Sequence, residues 1–189
     1  MISREVVVIG GGPSGLAAAI EAARRGADVL VVDSNLKAGG QLFKQIHKFF
    51  GSSAHRAGTR GMDIGEELLD EAEKYGVEIW LGSIAIGLFE EKVVAIEIGS
   101  DDESKRVVTV KAQKIVIATG ASENVVRFKG WTLPGVMGAG AAQTMVNINR
   151  VLPGNRVLMV GTGNVGLIVS YQLMQGGADV VALVDVAPS

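Results

Sequence analysis

Apolar and polar positions alternate along this 189-residue chain in blocks of two kinds. One kind is short and uninterrupted: Val6-Val7-Val8-Ile9, Val29-Leu30-Val31-Val32 and Lys114-Ile115-Val116-Ile117-Ala118. Runs of β-branched residues without polar alternation suit strands buried on both faces of a parallel sheet. The other kind has helical spacing. Residues 16–25 are Ala-rich, and Ile64, Leu68, Leu69 and Ala72 recur at helical intervals across 61–75 before Gly76 stops the pattern. A third strand follows at 77–81. The runs 83–89, 92–98 and 105–111 are then broken at Glu90-Glu91 and at 99–104, which predicts an antiparallel meander with a solvated turn at Asp101 to Arg106. A strand at 114–118 and a helix over 138–150, ended by Pro153-Gly154, complete this part. The stretch 36–60 has no sustained period and reads as a long loop with one short helix near 42–48. The predicted class is α/β, a Rossmann-like parallel sheet with a β-meander.

The opening pattern then returns. Val157-Leu158-Met159-Val160-Gly161-Thr162-Gly163-Asn164-Val165-Gly166 matches Val6 to Gly15 at an offset of 151 residues, and Gly26-Ala27-Asp28-Val29 recurs as Gly177-Ala178-Asp179-Val180. The sequence thus starts a second Rossmann-like unit, which runs only to βαβ at Ser189 and reads as incomplete.

Each repeat carries a glycine turn with a physical purpose. Gly10 permits a tight exit from the strand, Gly12 removes a Cβ where phosphates would lie, and Gly15 lets the helix pack on the strand with its N-terminal amides facing an anion. Pro13 and Ser14 open that helix, and Ser34 follows the acid Asp33 at the end of the second strand. A carboxylate there accepts hydrogen bonds from an adenosine ribose and repels a 2′-phosphate. In the second unit Gly161, Gly163 and Gly166 take the same parts, with Asn164 and Val165 between them. The residue at the offset of Asp33 is Val184, and the acid arrives one place later as Asp185. Strand side chains alternate faces, so Asp185 is a ribose ligand only if the strand is longer by one residue; otherwise it is a solvent-facing acid.

Composition narrows the chemistry. A formal charge of −2 provides no basic field for nucleic acid or acidic lipid. The absence of cysteine excludes disulfides, thiolate-held metals and dithiol relays, so redox chemistry needs a borrowed cofactor. No apolar run approaches a membrane span, and Met1 to Glu5 leads straight into a strand, so a cytoplasmic protein is expected. His47 and His55, among Lys44, Lys48, Arg56 and Arg60, lack metal-ligand or triad spacing and read as loop polars. No metal site is expected and no catalytic side chain is assigned.

Taken together, the turn Gly10 to Gly15 with Asp33, Gly39-Gly40-Gln41, Ala118-Thr119-Gly120 after a meander, and the second glycine turn resemble the two-dinucleotide-domain FAD/NAD(P)-dependent oxidoreductases. The stretch Gly130 to Gly140 narrows the resemblance to the α subunits of sarcosine oxidase, opine oxidase, dye-linked proline dehydrogenase and hydrogen cyanide synthase. The resemblance implies an FAD-binding domain at 1–125, a connecting segment with a helix at 126–154 and an incomplete NAD(P)-binding unit at 155–189. It implies that Gly10, Gly12, Gly15 and Asp33 hold the ADP part of FAD, that Gly40 and Gln41 lie toward the flavin, and that Ala118, Thr119 and Gly120 pass the cofactor. The second turn then holds NAD(P)H or is a remnant. Two features depart from the family: there is no cysteine pair, and no Gly-Asp dipeptide of the kind that binds the flavin ribitol. The expected function is a flavin-dependent, pyridine-nucleotide-linked oxidoreductase, or an electron-transfer subunit beside an amine- or amino-acid-oxidising partner, acting on a small-molecule electron donor or acceptor. The alternative is a truncated, non-catalytic nucleotide-binding module.

Overall fold

A computed structural model describes residues 1–99 and 104–186. They form two compact units, Met1–Ala121 and a second beginning at Ser122. The first is built on a six-stranded sheet made of β1 (Ile2–Ile9), β2 (Val29–Val32), β3 (Glu78–Trp80), β4 (Ser83–Phe89), β5 (Val93–Ile98) and β6 (Arg106–Ile117). Their order is β3-β2-β1-β6-β5-β4. The pairs β3·β2, β2·β1 and β1·β6 are parallel, and β6·β5 and β5·β4 antiparallel.

The uninterrupted apolar runs are explained by what covers each face. Helices α1 (Pro13–Arg24) and α2 (Gly61–Lys74) bury Val8 and Val31 under Leu16, Ala19, Ile20, Ile64 and Leu68. The alternate residues Val7, Leu30 and Val32 point the other way, into a second cluster with Val94, Ile96 and Val110 of the meander. A strand roofed by helices on one side and by strands on the other has no polar position to spare. Each such side chain contributes roughly 1.5–3 kcal/mol on burial. The Rossmann-like α/β class and the antiparallel meander are therefore present as expected.

Several boundaries differ. The separate strands expected at 105–111 and 114–118 are one strand, β6. Residues 106–111 pair with β5 while 110–117 pair with β1, so a single strand serves both ladders. Lys111, Gln113 and Lys114 look like a break in sequence but are exposed residues of a continuous strand, and Lys92 Nζ donates to the Gln113 carbonyl at 2.9 Å. The length of β6 also explains why β1 starts at Ile2, which pairs with Val110. In the long loop, the short helix expected at 42–48 is replaced by two 3₁₀ turns, Gly40–Lys44 and Ser53–His55. The turn expected at Asp101 to Arg106 lies partly outside the described residues.

The second unit contains α3 (Ala139–Asn147), β7 (Arg156–Val160), α4 (Asn164–Gln175) and β8 (Asp179–Val184), with β7 and β8 parallel. Its core is Ala142, Met159, Val169, Leu173 and Ala178. Helix α3 is shorter than the expected 138–150, ending at Asn147 with Ile148 as its cap before Arg150 turns into the left-handed region. It is joined to α4 by a buried network in which Gln143 Nε2 and Asn147 Nδ2 both donate to Gln172 Oε1, at 2.9 and 3.0 Å. Its N-terminus begins at Gly138, which has no side chain to cap with. Glu123 supplies the cap from a distance, its Oε1 accepting the Gly140 amide at 3.0 Å.

Two measurable outcomes arise from these contacts. Glu123→Ala lowers the stability of the second unit by about 1 kcal/mol, the usual worth of an N-terminal cap, in urea unfolding followed through Trp131 fluorescence. The Trp80 indole donates to Glu78 Oε1 at 2.7 Å, and with Arg4 it holds the Glu78 carboxyl below its ordinary value. The folded form thus binds this proton less readily than the unfolded chain, so the contribution is complete above the ordinary carboxylate pKa and lost as pH falls through the depressed one. Trp80→Phe moves the Glu78 midpoint upward in an NMR titration.

Candidate functional site

The first glycine turn is held by contacts that exclude side chains. The Gly10 amide donates to the Val32 carbonyl at 2.8 Å, and its φ of 104° is one that L side chains rarely adopt. A Cβ on Gly10 would lie 2.3 Å from the Ala118 carbonyl oxygen, and one on Gly15 would lie 1.9 Å from the Gly10 oxygen. Strand β1, helix α1 and the end of β6 therefore meet backbone to backbone. Gly12 differs: a Cβ there meets nothing within 4 Å. Beside it α1 starts with no side-chain cap and no acid in its first turn. The amides of that turn have no intrahelical partner, and the positive end of the helix is uncompensated. An anion is the natural complement.

The loop after β2 closes over this turn. The Gly39 amide donates to the Gly11 carbonyl at 2.6 Å, and a Cβ on Gly40 would come within 3.1 Å of Gly12 Cα. The Phe43 ring, packed against both Gly39 and Gly65, fixes the loop there. Asp33 is buried at 5% exposure. Its Oδ2 accepts the Gly11 amide at 2.6 Å, and its Oδ1 accepts the Asn35 amide at 2.8 Å and Asn35 Nδ2 at 2.7 Å. Asn35 and Phe43 belong to the site although the sequence pattern does not single them out. An Asn two places after an acid is the one signal that points to Asn35.

The second turn repeats this arrangement. The Gly161 amide donates to the Val184 carbonyl at 2.7 Å, and a Cβ on Gly166 would lie 2.0 Å from the Gly161 oxygen. Gly163 is open, and α4 begins at Asn164 and Val165 with no acid in its first turn. The one-residue offset of the acid has a structural origin. Pairing passes from Val157↔Val180 to Leu158↔Ala182, so Val181 is an extra residue in β8. The bulge brings Val184 into the position of Val32, and Asp185 Oδ2 accepts the Thr162 amide at 2.7 Å, as Asp33 does from Gly11.

The remaining candidates are less engaged. Ser34 and Gln41 are exposed beside the first turn, as are Thr119 and Gly120 after β6. His47 packs near Phe49 and Phe50, and desolvation lowers its pKa. Arg56 pairs with Glu67, and Lys48 forms a β-bridge with Arg60. Among the described residues no cluster of His, Cys, Asp or Glu could hold a metal, and no helix is long and apolar enough to cross a membrane.

Residues 4–189 match the family model described as pyridine nucleotide-disulphide oxidoreductase. The chain belongs to this family. Within it, the chain is 33% identical over 196 residues to an opine oxidase subunit of Agrobacterium tumefaciens (strain Ach5), covering 98% of this chain and 37% of that protein. It is 32% identical over 195 residues to the alpha subunit of sarcosine oxidase from Rhizobium meliloti (strain 1021), covering 98% of this chain and 19% of that protein. The chain therefore spans well under half the length of these relatives. In fold it is similar to L-proline dehydrogenase from P. horikoshii, with a TM-score of 0.80 at 24% identity, over 97% of this chain and 35% of that one.

The two kinds of glycine separate folding from binding. Gly15→Ala forces a contact of 1.9 Å and costs at least about 1–3 kcal/mol in thermal unfolding. Gly12→Ala has room and an ordinary φ of −72°, so it melts like the parent while losing affinity for ADP in calorimetry.

Proposed function

We propose that the first unit binds FAD through the Gly10 to Gly15 turn and Asp33, that the second binds NAD(P)H through the Gly161 to Gly166 turn and Asp185, and that the chain serves a flavin-dependent, pyridine-nucleotide-linked oxidoreductase. The observation that carries this reading is the pair of equivalent turns, each with an open glycine before an uncapped helix and a carboxylate on the second amide. A protein needing one nucleotide would have one turn too many. Membership of the pyridine nucleotide-disulphide oxidoreductase family supports FAD for one of them.

Bound flavin supplies reversible hydride and electron transfer, which no side chain of this cysteine-free chain offers. The polypeptide's part is to bind and orient. The α1 and α4 N-termini and the open glycines would complement pyrophosphate, and Asp33 and Asp185 would accept the ribose hydroxyls. Gly40, Gln41, Ala118, Thr119 and Gly120 would lie toward the flavin. Because the similar opine oxidase and sarcosine oxidase chains are named as subunits, we assign this chain a partner that oxidises a small amine or amino acid. The functional division runs from an FAD-binding domain at 1–125 through the connecting segment 126–154 to the NAD(P)-binding unit.

A second reading, nucleotide binding without turnover by this chain alone, is favoured by the outer face of β7 and β8. Leu158, Val160 and Val184 are 57%, 66% and 45% exposed there, an apolar face of the kind that further polypeptide covers in a complete parallel sheet.

The folded chain mixed with FAD and passed through a desalting column is expected to be yellow, and anaerobic NADH or NADPH to bleach it. A folded chain that stays colourless overturns FAD binding. A yellow chain that neither cofactor bleaches favours the second reading.

A further inference from the structure

The two turns hold their acids by different means. In the first, the second turn position is Gly11, which offers only an amide, and the side-chain donor to the carboxylate comes from Asn35, two residues after Asp33. In the second, the turn position is Thr162, whose amide donates to Asp185 Oδ2 at 2.7 Å and whose hydroxyl donates to the same oxygen. The Val186 amide donates to Oδ1 at 2.7 Å. The side chains of Asn35 and Thr162 thus reach the two carboxylates from opposite sides of the motif. The need is greater in the second unit, where Asp185 is exposed while Asp33 is 5% exposed and packed in place.

We propose that Thr162 is a positioning residue for nucleotide selection: its hydroxyl fixes the Asp185 carboxylate across the mouth of the second glycine turn, so that the site takes NADH and rejects NADPH. This rests on the reading of the second unit as a dinucleotide site. A carboxylate held in one orientation receives ribose hydroxyls and stands against a 2′-phosphate. Without that hydroxyl the Thr162 and Val186 amides still hold Asp185, but the exposed carboxylate loses one of its restraints, so its ribose contact weakens and it opposes the phosphate less firmly. The bulge at Val181 brings the acid to the turn, and Thr162 keeps it aimed.

The test is anaerobic calorimetric titration of the FAD-saturated chain, its flavin reduced beforehand so that only binding is read, with NADH and with NADPH, for the parent, Thr162→Val and Thr162→Ser. The parent is expected to bind NADH more tightly than NADPH. Thr162→Val, matched in shape but lacking the hydroxyl, weakens NADH about tenfold, the worth of a hydrogen bond to a charged group, and narrows the preference. Thr162→Ser restores both. A Thr162→Val chain that binds and discriminates like the parent overturns the role of Thr162 and leaves the dinucleotide site standing. A folded parent that binds neither nucleotide overturns both.

Discussion

Everything in the first unit is arranged around the contact between Gly15 and the Gly10 carbonyl. Because no Cβ fits there, helix α1 packs directly on the end of strand β1. From that closeness the rest follows. The helix N-terminus is brought to the strand ends, Ala118 lies against Gly10 just beyond β6, and the loop at Gly39 hydrogen-bonds to Gly11. A cradle for a phosphate pair is built of main chain, with positive helix ends and without a single basic side chain in the turn. Such a cradle suits the polyanionic ligand proposed for it even in a chain of net charge −2.

The same contact, Gly166 on the Gly161 carbonyl, recurs in the second unit with different surroundings. Gly10 is pressed by Ala118, whereas Gly161 has nothing within 4 Å of its Cβ direction. One motif therefore exists in a tightly enclosed and in a more open setting. The enclosed one has a buried acid and the open one an exposed acid, which is why the side-chain support of that acid carries more weight in the second.

Much of this is legible in the sequence because backbone constraints leave sharp residue signatures. Glycines at fixed spacing, β-branched runs and a strand-terminal acid announce both turns, the parallel strands and the meander. The parts that are not legible are those where side chains support from afar. Nothing near Gly138 says that Glu123 caps α3, and nothing near Gly39 says that Phe43 pins it. Strand β6 reads as two because Lys111, Gln113 and Lys114 resemble a turn, although exposure on one strand accounts for them. The offset of Asp185 is visible as a question about strand length, and the extra residue Val181 answers it through pairing geometry that no local pattern reports.

Strand β6 gives the first unit a particular folding order. It joins the meander to β1, and the register Ile9↔Ile117 connects residues more than a hundred positions apart. The meander closes from near neighbours, but the parallel ladder pays the entropy of a very long loop. The Gly10 pocket against Ala118 is completed only after that ladder has zipped. The turn at Gly10 is thus expected among the last parts of the unit to form, and during synthesis it stays open until β6 has emerged.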